Sequence, residues 1–187
     1  PELDPGALLG LDACPTLAEA EPYFVIRAHD LLSSALVELH AYIGAGQAGL
    51  SSSYHLTKRG IDHVVLDANA QPGGAWQHRW DALTMNDVHR VADLPGEPIP
   101  DAADGERANQ FVPDYFSSYE TQLDLPVVRP VDVRAVRDVE GLLSVEADGR
   151  AWTTRTIISS TGTWSHPFIP YYPGAETFTG AQLHTVD

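Results

Sequence analysis

The sequence predicts an α/β fold with a parallel sheet and an antiparallel β-meander, for three reasons. First, a glycine-rich segment joins a short apolar run to a helical pattern. Second, another apolar run follows that helix after a short connection, as in a parallel β-α-β unit. Third, three strand-like runs separated by turn residues come later in the chain. The 187 residues, 43% hydrophobic and 20% charged, have the size and composition of one globular domain.

The first 40 residues are predicted to form an N-terminal extension of unknown role. Residues 1–22 are rich in proline, alanine and acidic residues, which indicates an irregular arm. Tyr23–Ile26 is typical of a strand. Beyond it, leucines recur at three- and four-residue spacing after Asp30, which is a plausible N-cap, so a helix is predicted there.

The run before the glycines contains few apolar residues for the strand that is expected there. A dinucleotide-binding fold needs a buried, nearly all-apolar strand at this point. Only residues 41–43 are cleanly apolar, because Glu38 and His40 interrupt the longer run. Either the strand is short, or its first residues tolerate polar groups at a sheet end.

The next two elements have clear signals. Gln47–Arg59 is predicted to be a helix with Leu50 and Tyr54 on one face, and Gly60 supplies its C-terminal stop. Ile61–Asp67 is predicted to be the second strand because its interior is rich in β-branched and apolar residues.

The second half of the chain begins with a long loop and a helix. Residues 80–110 contain a cluster of prolines and a glycine, which are strong breakers of regular structure. A helix is predicted over Val112–Leu123, because aromatic residues recur on one side. The tail from Gly162 contains three spaced prolines and is predicted to be loop.

A meander is predicted between that helix and the tail. Turn signals at residues 140–141 and 148–149 separate three strand-like runs, which favours antiparallel pairing. The runs are Val131–Val136, Leu142–Ala147 and Trp152–Ser159.

Charge and cysteine content exclude several classes of function. The net charge of −15 argues against nucleic acid and anionic membrane as partners, because both require a basic face. Cys14 is the only cysteine, so the chain has no internal disulfide and no redox pair, and a cytoplasmic setting is expected. The sequence contains no run of 18 apolar residues, so no membrane span is predicted. The eight histidines lack ligand spacing, so no metal site is expected, and the sequence leaves a homo-oligomer open.

The segment Gly44-Ala45-Gly46-Gln47-Ala48-Gly49 predicts a dinucleotide site of the Rossmann type. Gly44 would allow the tight turn, Gly46 would let a pyrophosphate approach the backbone, and Gly49 would let helix and strand pack closely. The exposed N–H groups and the positive helix end would then stabilise the phosphates. Asp67, roughly 20 residues further on, would accept hydrogen bonds from ribose hydroxyls. The alternative is a structural glycine turn with a surface aspartate.

Neighbouring segments extend the pattern. Residues 73–76 have the sequence GGAW, and Ser160–Pro170 has the sequence STGTWSHPFIP. On these residues the chain resembles the class B flavoprotein monooxygenases, which comprise flavin-containing monooxygenases, Baeyer–Villiger monooxygenases and related N-hydroxylases. These proteins carry GxGxxG, an acid followed by GGxW, and a later A-T-G-x-[WY]-S-x-P-x-x-P segment. Ser160 stands where the family usually has alanine.

The family fingerprint F-x-G-x-x-x-H-x-x-x-[W/F/Y] is also present in part. Phe178, Gly180 and His184 match it, and the sequence stops at Asp187, one residue before the closing aromatic. The resemblance covers residues 41–187 and implies an incomplete Rossmann-like FAD-binding domain there. Such a domain has three layers (β/β/α), in which a parallel sheet lies between a helical layer and an antiparallel β-meander. The NADPH domain and the closing strand of the FAD domain are expected to be absent, so the chain alone is expected to be inactive.

The resemblance also implies an activity and a set of site residues. In the family, FAD reduced by NADPH reacts with O₂, and the resulting flavin (hydro)peroxide oxygenates a small organic substrate. The NADPH site would lie outside this chain. Asn86 is the candidate catalytic residue, and Val133, in the first meander strand, would offer its backbone to the adenine. The residues implied to bind FAD are Gly44, Ala45, Gly46, Gln47, Ala48, Gly49, Asp67, Gly74, Ala75, Trp76, Val133, Thr161 and Gly162.

Two alternatives remain at this stage. One is another FAD oxidoreductase with two dinucleotide sites, such as a disulfide reductase, although the absent cysteine pair and the GGxW segment count against it. The other is a non-catalytic flavin-binding or interaction module. Bound flavin would favour the enzymatic interpretations, and a colourless protein would favour the module.

Overall fold

A computed structural model describes residues 24–27, 40–89, 91–165, 168 and 170–183, with backbone alone for 24–27. The irregular arm and the helix predicted after Asp30 lie outside the described residues. Besides 3-10 turns at Gly74–His78 and Ala175–Thr177, the elements are strands β1 (Phe24–Arg27), β2 (His40–Ile43), β3 (His63–Leu66), β4 (Val127–Val128), β5 (Ala135–Val139), β6 (Leu142–Ala147), β7 (Arg150–Thr154) and β8 (Thr156–Ser159), and helices α1 (Gln47–Lys58) and α2 (Ala108–Gln122).

The main sheet has five strands in the order β1-β8-β2-β3-β4. Strands β8, β2, β3 and β4 are parallel, and β1 adds to the β8 edge in the antiparallel direction. The predicted strand at residues 23–26 is therefore found at Phe24–Arg27, within the N-terminal stretch to which the sequence assigned no role. The three remaining strands form a separate antiparallel meander, in the order β5-β6-β7.

Alternation along the central strands produces the three layers. Successive side chains of a strand point to opposite faces of a sheet. Tyr42 and Val65 pack with the helices in one core, whereas Ala41, Leu66 and Ile157 pack with the meander in a second core. The sheet is therefore covered on both faces, which confirms the predicted layer order and explains why its short strands are apolar.

Helix α1 agrees closely with its prediction. Leu50 is fully buried and Tyr54 packs against the same core. At the C-terminus the N–H groups of Arg59, Gly60 and Ile61 bond back to carbonyls of the last turn, so the helix stops where the glycine predicted it would.

Helix α2 begins at Ala108, four residues earlier than predicted. The sequence placed its start by the apolar stripe, which becomes dense only from Val112. In the structure the N–H of Ala108 donates to the carbonyl of Leu83, and the Ala108 side chain is buried. A tertiary contact to the long loop therefore fixes the first turn.

The two predicted turns of the meander are confirmed, but its first and third strands have other bounds than predicted. Residues 131–134 were predicted to begin the first strand, but β5 starts only at Ala135. The N–H of Val131 instead donates to the carbonyl of Asp67, at 2.7 Å, which ties the segment to the main sheet. The turns at residues 140–141 and 148–149 have positive φ throughout, as tight hairpins require.

The run Trp152–Ser159 is two strands in two different sheets, not one strand of the meander. Trp152 pairs with Val145 of β6, whereas Ile157 pairs with Ala41 of β2. The chain changes sheets at Arg155, where the Thr154 hydroxyl donates to the carbonyl of Thr156. The residues on either side are all strand formers, so the sequence carries no turn signal there.

A buried histidine ties α1 to β3. The Nε2 atom of His63 lies 2.7 Å from the Ser53 hydroxyl, and Nδ1 lies 2.9 Å from the carbonyl of Ile61. A carbonyl can only accept, so Nδ1 carries the proton and Nε2 accepts from Ser53. Burial lowers the pKa of His63 below its ordinary value, against smaller opposing effects of the Ile61 carbonyl and Asp62. The imidazole is therefore held neutral.

Among the residues described, neither α-helix is long and apolar enough to cross a membrane.

Acidification is expected to destabilise the fold through His63. Because its pKa in the folded state lies below the unfolded value, the unfolded chain takes up the proton first, and the free energy of unfolding falls as pH drops below about 6.5. The change is at most about 1.4 kcal/mol for each pH unit between the two pKa values. Denaturant unfolding at about pH 7.5 and about pH 5.5 measures it.

His63→Gln is expected to show a smaller loss over the same range, because the variant lacks the titrating group. His55→Gln, at an exposed position on α1, is the matched control and should behave as wild type. An identical pH dependence in wild type and His63→Gln would contradict the assignment.

Candidate functional site

The candidate site lies where the carboxyl ends of β2, β3 and β8 meet. The N–H of Gly44 donates to the carbonyl of Leu66, and the N–H of Ser160 donates to the carbonyl of Ile43, both at 2.8 Å. Three chain segments therefore leave the sheet side by side. In open parallel sheets, ligands bind outside this end of the strands.

Gly44 makes the turn out of β2. Its φ of +102° is rarely adopted by residues with a side chain. A Cβ at this position would lie 2.4 Å from the carbonyl oxygen of Ser160. The glycine turn and the segment after β8 are therefore in direct contact, which the sequence did not predict.

Gly49 and Gly46 differ in what surrounds them. A Cβ on Gly49 would lie 2.0 Å from the Gly44 carbonyl oxygen, so the first turn of α1 packs directly on the glycine turn. A Cβ on Gly46 would meet no protein atom within 4 Å, and the extended backbone of Gly46 suits any residue. Open space therefore lies in front of the N-terminus of α1.

That N-terminus has no cap from the protein. Gly46 provides no side-chain hydrogen bond, and the first turn contains no acidic residue. The first N–H groups of a helix have no partner within the helix and concentrate positive potential. The opening beside Gly46 thus has the chemistry of an anion site.

The other three residues of the glycine segment are Ala45, Gln47 and Ala48. The Ala45 side chain is buried in the helix-side core. The Gln47 amide donates to the carbonyl of Ala92, at 3.3 Å, and Ala48 is half-buried.

The segment Gly74–Trp76 lies against the glycine turn. A Cβ on Gly74 would lie 3.1 Å from the Cα of Gly46, and one on Gly73 would lie 2.7 Å from the Pro113 ring on α2. Trp76 packs against the helix-side core, and Ala75 is half-buried. The structure therefore brings two predicted cofactor-binding segments together.

A cation between two indole rings connects Trp76 to the segment after β8. The guanidinium of Arg79 lies 5.6 Å from the ring centre of Trp76 and 5.0 Å from that of Trp164. His78 stacks on Trp164 at 5.8 Å. Sequence reasoning did not single out Arg79 or His78.

Thr161 and Gly162 lie in the chain between Ser160, which contacts the glycine turn, and Trp164, which contacts Arg79. Both are exposed, and the Cα of Thr161 would be 3.3 Å from a Cβ on Gly44. The neighbouring Ser160 hydroxyl is buried without a hydrogen-bond partner. Pro167 and His184, which match the family motifs, lie outside the described residues.

Asp67 directly follows β3 and is 3% exposed, so it is not a surface aspartate. Its Oδ1 atom accepts hydrogen bonds from the N–H and the side-chain amide of Asn69, both at 3.0 Å. Its Oδ2 atom has no hydrogen-bond partner in the protein. A buried carboxylate oxygen without a hydrogen-bond donor is costly, and Oδ2 keeps the capacity to accept from a further donor.

Arg129 lies beside that oxygen and was missed by sequence reasoning. Its Nη2 atom is 3.2 Å from Oδ2 of Asp67, although the contact lacks hydrogen-bond alignment. The guanidinium also makes a bidentate pair with Glu120 of α2, at 2.6 and 2.7 Å. Burial acts to lower the pKa of Arg129, but Glu120 and Asp67 outweigh it and raise the pKa.

Two further predicted residues lie elsewhere. Val133 precedes β5 rather than lying in a strand, and it packs partly buried against the meander-side core. Asn86 is exposed on the long loop, where its side-chain oxygen accepts from the N–H of Gly105 at 2.9 Å and its amide donates to Asp104. It borders a cavity of about 210 Å³ formed within the same loop. The roles of both residues stay predictions.

Within the part of the chain that the structure describes, no group of three histidine, cysteine, aspartate or glutamate residues is placed to hold a metal ion.

Comparisons with known proteins agree with this geometry. The family model described as pyridine nucleotide-disulphide oxidoreductase matches residues 41–186. A solved flavin-containing monooxygenase from Stenotrophomonas maltophilia is 42% identical, with a TM-score of 0.69, and the match covers 79% of this chain and 45% of that one.

Two more distant proteins are also similar. The probable indole-3-pyruvate monooxygenase YUCCA4 of Arabidopsis thaliana is 28% identical over 146 residues, which are 76% of this chain and 36% of that protein. A structure of OTEMO in complex with FAD and NADP shares the fold, with a TM-score of 0.60 at 21% identity, covering 82% of this chain and 31% of that one. The chain thus spans less than half the length of each of these proteins.

Replacing Gly49 or Gly46 with alanine should change the free energy of unfolding by different amounts. Gly49→Ala is expected to lower the free energy of unfolding by about 1–3 kcal/mol, because its Cβ meets a backbone carbonyl that cannot move aside. Gly46→Ala is expected to leave it within about 0.5 kcal/mol of wild type, because the Cβ enters open space. Denaturant unfolding of both variants measures the difference, and equal stabilities would contradict the packing described.

Proposed function

Because the chain belongs to the pyridine nucleotide-disulphide oxidoreductase family, and within it to the flavin-containing monooxygenases, we propose that it forms the FAD-binding part of an NADPH- and O₂-dependent monooxygenase. Its substrate is a small organic molecule. The whole protein works in the cytoplasm, and its NADPH site lies outside this chain.

The observation that carries the proposal is the pair of unfilled positions at neighbouring strand ends. Open space at Gly46 faces the uncapped end of α1, and the Oδ2 atom of Asp67 lacks a donor at the end of β3. Strands β2 and β3 are adjacent and parallel, so both positions lie at the same edge of the sheet. A dinucleotide presents a phosphate pair and a ribose hydroxyl at such neighbouring points.

FAD fits the residues present. The N–H groups at the start of α1 would bind the pyrophosphate, and Asp67 would accept from the adenosine ribose. Gly74–Trp76 and Thr161–Gly162 would border the flavin end, held together by Arg79 between the two indoles. FAD, when bound, supplies the electron transfer to O₂, and the protein supplies binding, orientation and exclusion of water.

The similarity to the flavin-containing monooxygenase of S. maltophilia supports this activity over other flavin chemistry. A disulfide reductase needs a redox-active cysteine pair, and this chain contains a single cysteine. NADPH is proposed as the hydride source on the same family grounds.

The first test uses the full-length protein that carries this chain. We expect it to purify with bound FAD, and to oxidise NADPH and consume O₂ in step, measured by absorbance and an oxygen electrode. A protein that takes up no added FAD would overturn the proposal in favour of a non-catalytic module. One that binds FAD but consumes no O₂ with any substrate tried would overturn the monooxygenase assignment.

Gly46→Val is expected to abolish FAD uptake while leaving the fold intact, since its side chain would occupy the phosphate position and its Cβ meets no protein atom within 4 Å. Flavin absorbance after gel filtration measures uptake, and circular dichroism reports the fold. Thr57→Val, at an exposed position near the far end of α1, is the control and should bind normally. Normal FAD binding by Gly46→Val would show the phosphate geometry to be wrong.

Asp67→Ala is expected to weaken FAD binding by about 1–3 kcal/mol, the usual cost of removing a hydrogen bond to a charged group. Titration of flavin-free protein with FAD measures the affinity. Asp114→Ala, at an exposed position on α2, is the control for loss of one negative charge. An unchanged affinity in the Asp67 variant would count against the ribose contact.

A further inference from the structure

Three charged side chains form a buried cluster between the nucleotide site and α2. The exposed fractions of the side chains alone are 4% for Asp67, 12% for Arg129 and 11% for Glu120. Arg129 lies at the centre, and its Nη2 atom contacts both carboxylates, at 2.7 Å to Glu120 and 3.2 Å to Asp67. The two acids are therefore close to each other and separated only by the guanidinium.

The two contacts of Arg129 differ in kind. The fork to Glu120 is bidentate and aligned, which is the strong form of an arginine–carboxylate pair. The contact to Asp67 is not aligned as a hydrogen bond, so it acts through charge and leaves Oδ2 able to accept from another donor. Glu120 thus anchors the guanidinium, and the guanidinium holds Asp67.

Charge balance indicates what the cluster should bind. Two carboxylates and one guanidinium leave a net charge of −1 in a buried place, which is costly unless further donors reach it. A hydroxyl group donates a hydrogen bond and adds no negative charge, whereas a phosphate would add repulsion. The cluster therefore suits an unphosphorylated ribose.

We infer that Arg129 is a positioning residue, which Glu120 orients from α2 and which holds the Asp67 carboxylate to accept a hydrogen bond from the 2′-hydroxyl of the adenosine ribose of FAD. This inference rests on the proposed function. The role is distinct from that of Asp67 itself, because Arg129 acts through the carboxylate.

The test compares two ligands that differ only at the hydroxyl. Flavin-free full-length protein is titrated with FAD and with FAD whose adenosine carries a 2′-deoxyribose, following flavin fluorescence. Wild type is expected to prefer FAD by about tenfold or more, the size expected for a charge-assisted hydrogen bond. Arg129→Met is expected to reduce the preference to within about threefold, because two adjacent carboxylates without the cation no longer hold the geometry.

Arg134→Met is the matched control. Arg134 lies five residues further on and pairs with Asp132, but its side chain is 72% exposed. The same chemical change there should leave the preference at the wild-type value. This ratio separates positioning from general destabilisation, because a purely structural role would weaken both ligands equally.

Arg129→Lys keeps the test decisive if the methionine variant does not fold. Lysine retains the charge but cannot make the bidentate fork to Glu120 while facing Asp67, so the preference should fall between those of wild type and the methionine variant. A full wild-type preference in a folded Arg129 variant would overturn the inference, as would a wild type that binds both ligands equally. A wild type that binds neither would instead overturn the proposed function.

Discussion

The contact between Gly49 and the carbonyl of Gly44 is the constraint on which the site depends. The first turn of α1 lies so close to the end of β2 that a side chain at Gly49 would not fit between them. This approach aims the unbonded N–H groups of the helix at the space beside Gly46. A helix set further from the strand would keep its dipole but lose the narrow opening to which that dipole points.

Burial on both faces of the sheet determines the chemistry of the neighbouring strand end. Because helices cover one face and the meander covers the other, Asp67 leaves β3 into a place that is almost closed to water. A carboxylate there needs partners. Asn69 supplies donors to one oxygen and Arg129 supplies charge beside the other. Oδ2 keeps the capacity to accept one more hydrogen bond, and the proposed ribose contact depends on that capacity.

The same packing explains how distant segments reach the glycine turn. Gly74 arrives because Gly73 is pressed against Pro113 of α2, and Ser160 arrives because β8 lies next to β2. Arg79 then spans the two indoles from these segments. Three separate parts of the chain are thereby gathered at one edge of the sheet, and the proposed FAD site lies at this edge.

The sequence by itself determined the glycine turn, α1, the second strand, the hairpin turns and the position of Asp67 directly after that strand, because these depend on local conformational preference and short spacing. Only the tertiary structure decided that Trp152–Ser159 divides between two sheets, that α2 starts at Ala108, and that Arg129 and Glu120 support Asp67. Each of these follows from contacts between residues far apart in the chain. A strand-forming run has the same local pattern whichever sheet it joins, and an arginine becomes a partner of a carboxylate only when folding removes water from both.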